Sequence, residues 1–173
     1  MISSLTVRNG TKSDNILLAQ LGWQAFAEAF AADNTPADMA AYLLTAFSPE
    51  LQAAELADPR CLFWLVYDGD NPIGYVKLYA GPAPACISQQ NQLKIARLYL
   101  LQAWWGQGIG PVLLERCVAY AQEHNYNLIW LTVWEKNERA LKLYRKLGFE
   151  TVGEEDFVLG QDVQRDLIME KNL

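Results

Sequence analysis

Two rhythms of apolar and polar positions run along the chain, and the change between them falls near Arg60. In the first third, apolar residues recur every third or fourth position. "ILLAQLGWQAFAEAF", "NTPADMAAYLLTAF" and "SPELQAAELAD" therefore predict helices. Their starts are marked. Ser13 or Asp14 can cap the first, Thr35 with Pro36 and Asp38 opens the second, and Ser48 with Pro49 and Glu50 opens the third. A capping oxygen accepts from a first-turn N–H that has no partner inside the helix, and proline suits a first position where no N–H is needed. "SLTVR" precedes them as a short strand.

Beyond Arg60 the pattern turns to strands. "CLFWLVYD" and "IGYVKLYA" are joined by "GDNP" into a hairpin, and "QLKIARLYLL" is a third strand. A helix through "PVLLERCVAYAQEH" follows: Ile109, Leu113 and Cys117 recur every fourth residue, with Glu115 and Gln122 on another face. "LIWLTVW" is almost wholly apolar, as a strand buried on both faces would be. The helix "NERALKLYRKL" meets Gly148, which can take the left-handed conformation of a helix C-terminus. "FETVGEEDFVL" and "VQRDLIMEK" close the chain as strands across Gly160. This order predicts an α+β fold: a mixed, mainly antiparallel, twisted sheet of about six to seven strands with helices on both faces. Gln92 to Val133 forms a β-α-β unit, for which parallel strands and a right-handed crossover are expected.

Composition narrows the class. The chain has 173 residues, 51% hydrophobic and 20% charged, which suits one domain over residues 1–173 with a sizeable core. No run is long and apolar enough to span a membrane, and "MISSLTVRNG" lacks the basic-then-apolar pattern of a leader, so a cytoplasmic location and no membrane partner are expected. The net charge of −6 argues against nucleic acid as a partner and favours cationic ligands, although it also serves solubility. Cys61, Cys86 and Cys117 are scattered, without C-x-x-C spacing, and His124 is the only histidine. Neither a disulfide framework nor a metal site is expected. His124 sits at a helix end, where it reads as a cap or surface group.

The candidate chemistry lies in "AWWGQGIGP", with glycines at 106, 108 and 110. A glycine turn between a strand and a helix presents backbone N–H groups and the helix dipole to an anion such as a phosphate. It also serves as a tight turn with no ligand. The spacing is neither that of a Walker loop nor G-x-G-x-x-G.

Two motifs in order resemble the GNAT superfamily of N-acetyltransferases. Its pattern is a strand, then Q/R-x-x-G-x-G/A, then a helix, which falls here on Trp105 to Gly110. Downstream comes an Asn after the next strand and an aromatic-Tyr helix ending in G-F, here "WEKNERALKLYRKLGF". "DNTPADMAAYL", "IGYVKLY", "LYLLQAWWGQGIG" and "FVLGQDVQRDLIM" further resemble the PaiA-type bacterial acetyltransferases associated with spermidine and spermine. The resemblance implies acetyl-CoA as cosubstrate, no metal, and a primary amine of a small molecule, a polyamine among the candidates, as acceptor. A homodimer is compatible with it. A protein or amino-acid-like amine as acceptor, or a non-catalytic acyl-CoA-binding module, are the alternatives. It further implies that backbone groups of Leu98, Tyr99 and Leu100 meet the pantetheine arm. The N–H groups of Gly106, Gln107, Gly108, Ile109 and Gly110 face the pyrophosphate. Asn137 bonds the pantetheine, with Ala140 and Tyr144 on the same helix face. Tyr144 matches the general acid that protonates the departing sulfur, although a tyrosine on an amphipathic helix is also ordinary packing.

Four positions depart from the pattern. Lys94 and Ala96 stand where relatives carry acidic residues, so the usual base is missing. An alkyl ammonium has a pKa of about 10.4 and must lose a proton before it attacks. Glu135 is a substitute base or simply a charge at a helix N-terminus. Trp105 replaces Arg or Gln and is expected on the adenine or on the sheet, and Pro111 withdraws one N–H donor. The acceptor is expected against residues 23–49 and 81–91. There Glu28, Asp33 and Asp38 can meet a cation, and Trp23, Phe26, Phe30 and Tyr42 can line it, although Phe26 and Phe30 also suit a core.

Overall fold

The computed structural model of the chain describes residues 5–173. Seven strands form one sheet in the order β1-β2-β3-β4-β5-β7-β6. They are β1 (Leu5–Asn9), β2 (Cys61–Asp68), β3 (Asn71–Tyr79), β4 (Gln92–Leu100), β5 (Leu128–Trp134), β6 (Glu150–Leu159) and β7 (Asp162–Asn172). Ser4, the first residue of the expected opening strand, lies outside the described residues. All pairs are antiparallel except β4–β5, so the mixed α+β sheet expected from the order of elements is what forms.

Helices cover both faces. On one lie α4 (Ile109–Glu123) and α5 (Glu138–Lys146), packed on Leu93, Ile95, Ile129, Leu131 and Met169. On the other lie α1 (Asn15–Phe30), α2 (Pro36–Ala46) and α3 (Pro49–Ala57), over Phe63, Leu65 and Tyr75 and around Phe26 and Phe47. Ile109, Leu113 and Cys117 are buried, as their spacing requires. Thr35 and Ser48 cap α2 and α3, accepting from Asp38 N–H at 3.2 Å and Leu51 N–H at 3.1 Å. Among the described residues no helix is long and apolar enough to cross a membrane.

Some starts differ from expectation. A turn of 3-10 helix at Lys12–Asp14 precedes α1. Asp14 accepts from Thr11 N–H at 2.7 Å and pairs with Arg8 at 2.8 Å, which places its carboxylate on the turn before α1. Beside Arg8, Asp14 is held down at about 2. α4 begins two residues before Pro111, which therefore occupies the third helical position, still within the turn whose N–H groups lack intrahelical acceptors.

Two features shape the middle of the sheet. Lys77 faces Arg97 and Leu78 faces Ile95, which leaves Ala96 as an extra residue in β4: a bulge that bends the strand. Beside it, Glu55 of α3 reaches both Lys77 and Arg97 at 2.6 Å, and Gln52 accepts from Arg97 at 3.2 Å. This buried polar cluster pins α3 to the bulged region.

Candidate active site

β4 and β5 pair only from Gln92 with Leu128 to Ile95 with Leu131. Past the bulge, β4 stays with β3 as far as Leu100, while β5 stays with β7 as far as Trp134. The two parallel strands therefore splay. The inner backbone edges of Leu98, Tyr99 and Leu100 are turned to a wedge in place of a neighbouring strand. An edge of unpaired N–H and C=O groups suits an extended amide-bearing chain.

The glycine loop closes the end of β4. Gly106 (φ 75°) and Gly108 (φ 82°) are left-handed, a conformation that demands glycine there. A Cβ on either would meet no protein atom within 4 Å and would project into the open cradle. The N–H groups of Gly106, Gln107 and Gly108 make no turn or cap hydrogen bond among the described residues. Ile109 and Gly110 lie in the first turn of α4, where N–H groups have no acceptor inside the helix. This donor set at a helix N-terminus fits a pyrophosphate. Gly108→Val forces a β-branched residue into left-handed φ, at a cost of about 1–3 kcal/mol. It is expected to raise KM for acetyl-CoA by about tenfold or more while leaving kcat nearly intact. Steady-state kinetics with varied acetyl-CoA checks this, and an unchanged KM counts against the cradle.

α5 packs near the start of α4, with Leu143 3.9 Å from where a Cβ on Gly110 would sit. Asn137 is its N-cap, with Oδ1 accepting from Ala140 N–H at 3.2 Å, which leaves the side-chain NH2 free to donate. Tyr144 lies two turns further along the same face, its ring 5.9 Å from Phe149. Burial above all, with the neighbouring Tyr99 and Cys117, pushes its phenol up to about 12. Tyr144 is therefore protonated throughout the neutral range. Among the described residues, Tyr75 alone has a hydroxyl both sealed from solvent and unpartnered. The Tyr144 hydroxyl is not one of these sealed, unpartnered groups.

Trp105 turns out to be an anchor for the loop. Its indole N–H donates to the Leu100 carbonyl at 2.8 Å, and the Arg139 guanidinium lies 4.9 Å from its ring centroid. Trp105 thus meets the sheet, one of its two expected contacts. It occupies one lone pair of the Leu100 carbonyl, and it brings a cation beside the loop where Arg or Gln would otherwise stand.

The other expected acids scatter. Glu28 accepts from Gln102 N–H at 2.6 Å and so ties α1 to the loop after β4. Asp38 accepts from Thr35 and from Gln161 N–H, and those bonds hold its carboxyl below the usual range. Phe26 is buried, with Phe30 4.6 Å away, so Phe26 belongs to the core. Asp33 and Glu135 line a cavity of about 280 Å³ at the end of β5, together with Asp156 and Asp162. His124 ends α4, its Nδ1 2.8 Å from the Tyr120 carbonyl and its ring stacked on Tyr120.

Comparison with known proteins agrees with this fold. The model of the acetyltransferase (GNAT) family matches residues 23–149. The chain is 33% identical over 150 residues, 87% of each protein, to an uncharacterized N-acetyltransferase of the pepI 3′ region of Lactobacillus delbrueckii subsp. lactis. It is 27% identical to the spermine/spermidine N(1)-acetyltransferase of Bacillus subtilis over 94 residues, 54% of this chain and 61% of that one. Its fold is similar to that of the PaiA N-acetyltransferase of Thermoplasma acidophilum, solved with coenzyme A, at a TM-score of 0.78 and 21% identity over 98% of this chain and 99% of that one.

Proposed function

Because this chain belongs to the GNAT family of N-acetyltransferases, we propose that it moves the acetyl group of acetyl-CoA to a primary amine of a small cationic molecule, with polyamines the first class to test. The observation that carries the reading is the wedge between β4 and β5, with the glycine loop following the end of β4. Bound acetyl-CoA supplies an acyl thioester that an amine attacks directly.

The residues divide the remaining work. The N–H groups of Gly106, Gln107, Gly108, Ile109 and Gly110 hold the pyrophosphate. The inner edge of Leu98 to Leu100 and the Asn137 amide align the pantetheine, with Ala140 beside it. Tyr144 keeps its proton at Oη, ready for the sulfur. The cationic-acceptor reading is supported by the acidic balance of the chain. The polyamine reading is supported by the spermine/spermidine acetyltransferase among its relatives. A cytoplasmic location accords with both.

Thiol release from acetyl-CoA with a panel of spermidine, spermine, amino acids and a lysine peptide tests this. Turnover of the polyamines is expected, with a KM that rises with salt because the attraction is screened. Acetyl-CoA binding without thiol release from any amine overturns it in favour of a non-catalytic module.

A further inference from the structure

β4 carries no carboxylate near the wedge: Lys94 and Ala96 stand just before it opens. Acids reach the same face from the neighbouring hairpin. Asp166 of β7 is opposite Trp134 of β5 on one side and Glu155 of β6 on the other. Residues opposite one another share a face, so Asp166, Glu155 and Trp134 project together. Lys94, whose ammonium lies 4.5 Å from the Trp130 ring centroid, is on that face too. Asp166 is only 9% exposed, yet among the described residues its carboxylate takes no hydrogen bond and no ion pair. Like charges directly opposite in a sheet destabilise it, and an unpaired buried carboxylate does so more. A fold that keeps both has placed a group there for something other than stability.

The surroundings suit an alkyl ammonium. Phe30 lies 6.1 Å from Trp134, and Tyr42 lies 5.3 Å from Phe157, which follows Glu155 on the same strand face. These rings can cover methylenes and attract a cation through their faces.

We propose that Asp166, backed by Glu155, is the acceptor-amine site, holding the ammonium beside the wedge and taking the proton its nitrogen must lose. The proposal rests on the amine-acetylating reading above. One proton passes from the ammonium to the Asp166 carboxylate. The freed lone pair forms the N–C bond to the acyl carbon, and the C–S bond breaks with its electron pair on sulfur. Sulfur takes the Tyr144 proton, and the second proton shed by nitrogen restores it.

Electrostatics agrees with this placement. Burial first, and Glu155 second, push Asp166 up to about 6 against the pull of Lys94. The groups facing it from packed elements are Glu155 on β6, Lys94 and Tyr99 on β4, and Tyr42 on α2. Tyr99 is pushed up by burial first, with Asp166 adding to that against Arg97. Tyr99 also raises Tyr144. One tyrosine thus stands within electrostatic reach of both the carboxylate and the phenol. Asp166 remains mostly ionised above about pH 6 and is a stronger base than an ordinary carboxylate.

The test compares the full-length wild type with Asp166→Asn and Glu155→Gln. It measures transfer to the amine panel against pH, calorimetric binding of spermidine and of acetyl-CoA, and thermal midpoints at pH 5 and pH 8. Asp166→Asn is expected to lower kcat/KM about a hundredfold or more, to weaken spermidine binding, and to leave acetyl-CoA binding alone. The wild type is expected to lose activity as pH falls through about 6, and Glu155→Gln to move that limb to lower pH by removing the like charge. A carboxyl raised in the folded state lowers stability as pH climbs from its unfolded value to its folded one. Asp166→Asn should therefore melt higher than wild type at pH 8, and the gap should narrow at pH 5. A merely structural Asp166 would give a lower midpoint and an unmoved acid limb. Wild-type kcat/KM and spermidine affinity in Asp166→Asn overturn the proposal. Spermidine that binds through Asp166 but is never acetylated supports the site and fails the acetyltransferase reading. Transfer that persists unchanged in Asp166→Asn does the reverse.

Discussion

Tyr144→Phe is expected to lower kcat by two to three orders of magnitude while acetyl-CoA affinity stays within about twofold of wild type. The substitution removes one oxygen and leaves the ring against Phe149, so packing and cofactor alignment survive. What disappears is the phenolic donor of α5. The phenol is held near 12, mainly by burial, whereas an alkyl thiol titrates at about 8.5. Full proton transfer to a free thiolate is thus uphill by about 5 kcal/mol. Tyr144 works first as a hydrogen-bond donor to the sulfur as its charge develops, and it completes the transfer once the amide nitrogen sheds its own proton. A donor of that kind acts in the transition state far more than in the ground state, so its loss falls on kcat. Single-turnover kinetics with calorimetric acetyl-CoA binding checks this, and unchanged turnover sinks the assignment.

Glu55→Gln is expected to destabilise the fold by about 3–5 kcal/mol, because it leaves two cations facing each other with no anion between them. Lys77 and Arg97 are cross-strand neighbours, and Glu55 now bonds both. Their side chains are only 10% and 15% exposed, so water cannot take over the carboxylate's role. At about 2–4 °C per kcal/mol for a chain of this size, the melting temperature should fall by about 10 °C. Adding Lys77→Met removes one of the stranded charges and is expected to recover part of the loss. Thermal denaturation of the single and double variants reads it directly. A shift under about 2 °C for Glu55→Gln contradicts the account.

Local signals in the chain were legible where a residue's role is decided within a few positions of itself. Thr35 and Ser48 cap because their oxygens reach N–H groups three residues on. Gly148 stops α5 because φ of 85° there suits glycine, and Ile109, Leu113 and Cys117 are buried because the helix brings them round to one side. The glycine loop was readable for the same reason: its donors belong to one short segment. Asp14 does stand at the N-cap of α1, but its carboxylate turns back to Thr11 N–H and to Arg8 rather than to the first turn of the helix.

The hydrophobic and polar pattern by itself determined the strands, the helices and which side of each is buried, since burial follows the 3.6- and 2-residue periods. With the glycine loop and the Asn–Tyr helix it also determined the family. Only the tertiary structure decided where the strands part. The bulge at Ala96 is a matter of register between β3 and β4, which no residue carries alone. Nor does any spacing bring Asp166 of β7 between Glu155 of β6 and Trp134 of β5, because cross-strand neighbours are set by pairing. The missing acid of β4 was visible as a lack in the sequence. The carboxylate that stands in for it became visible only when the sheet placed it there.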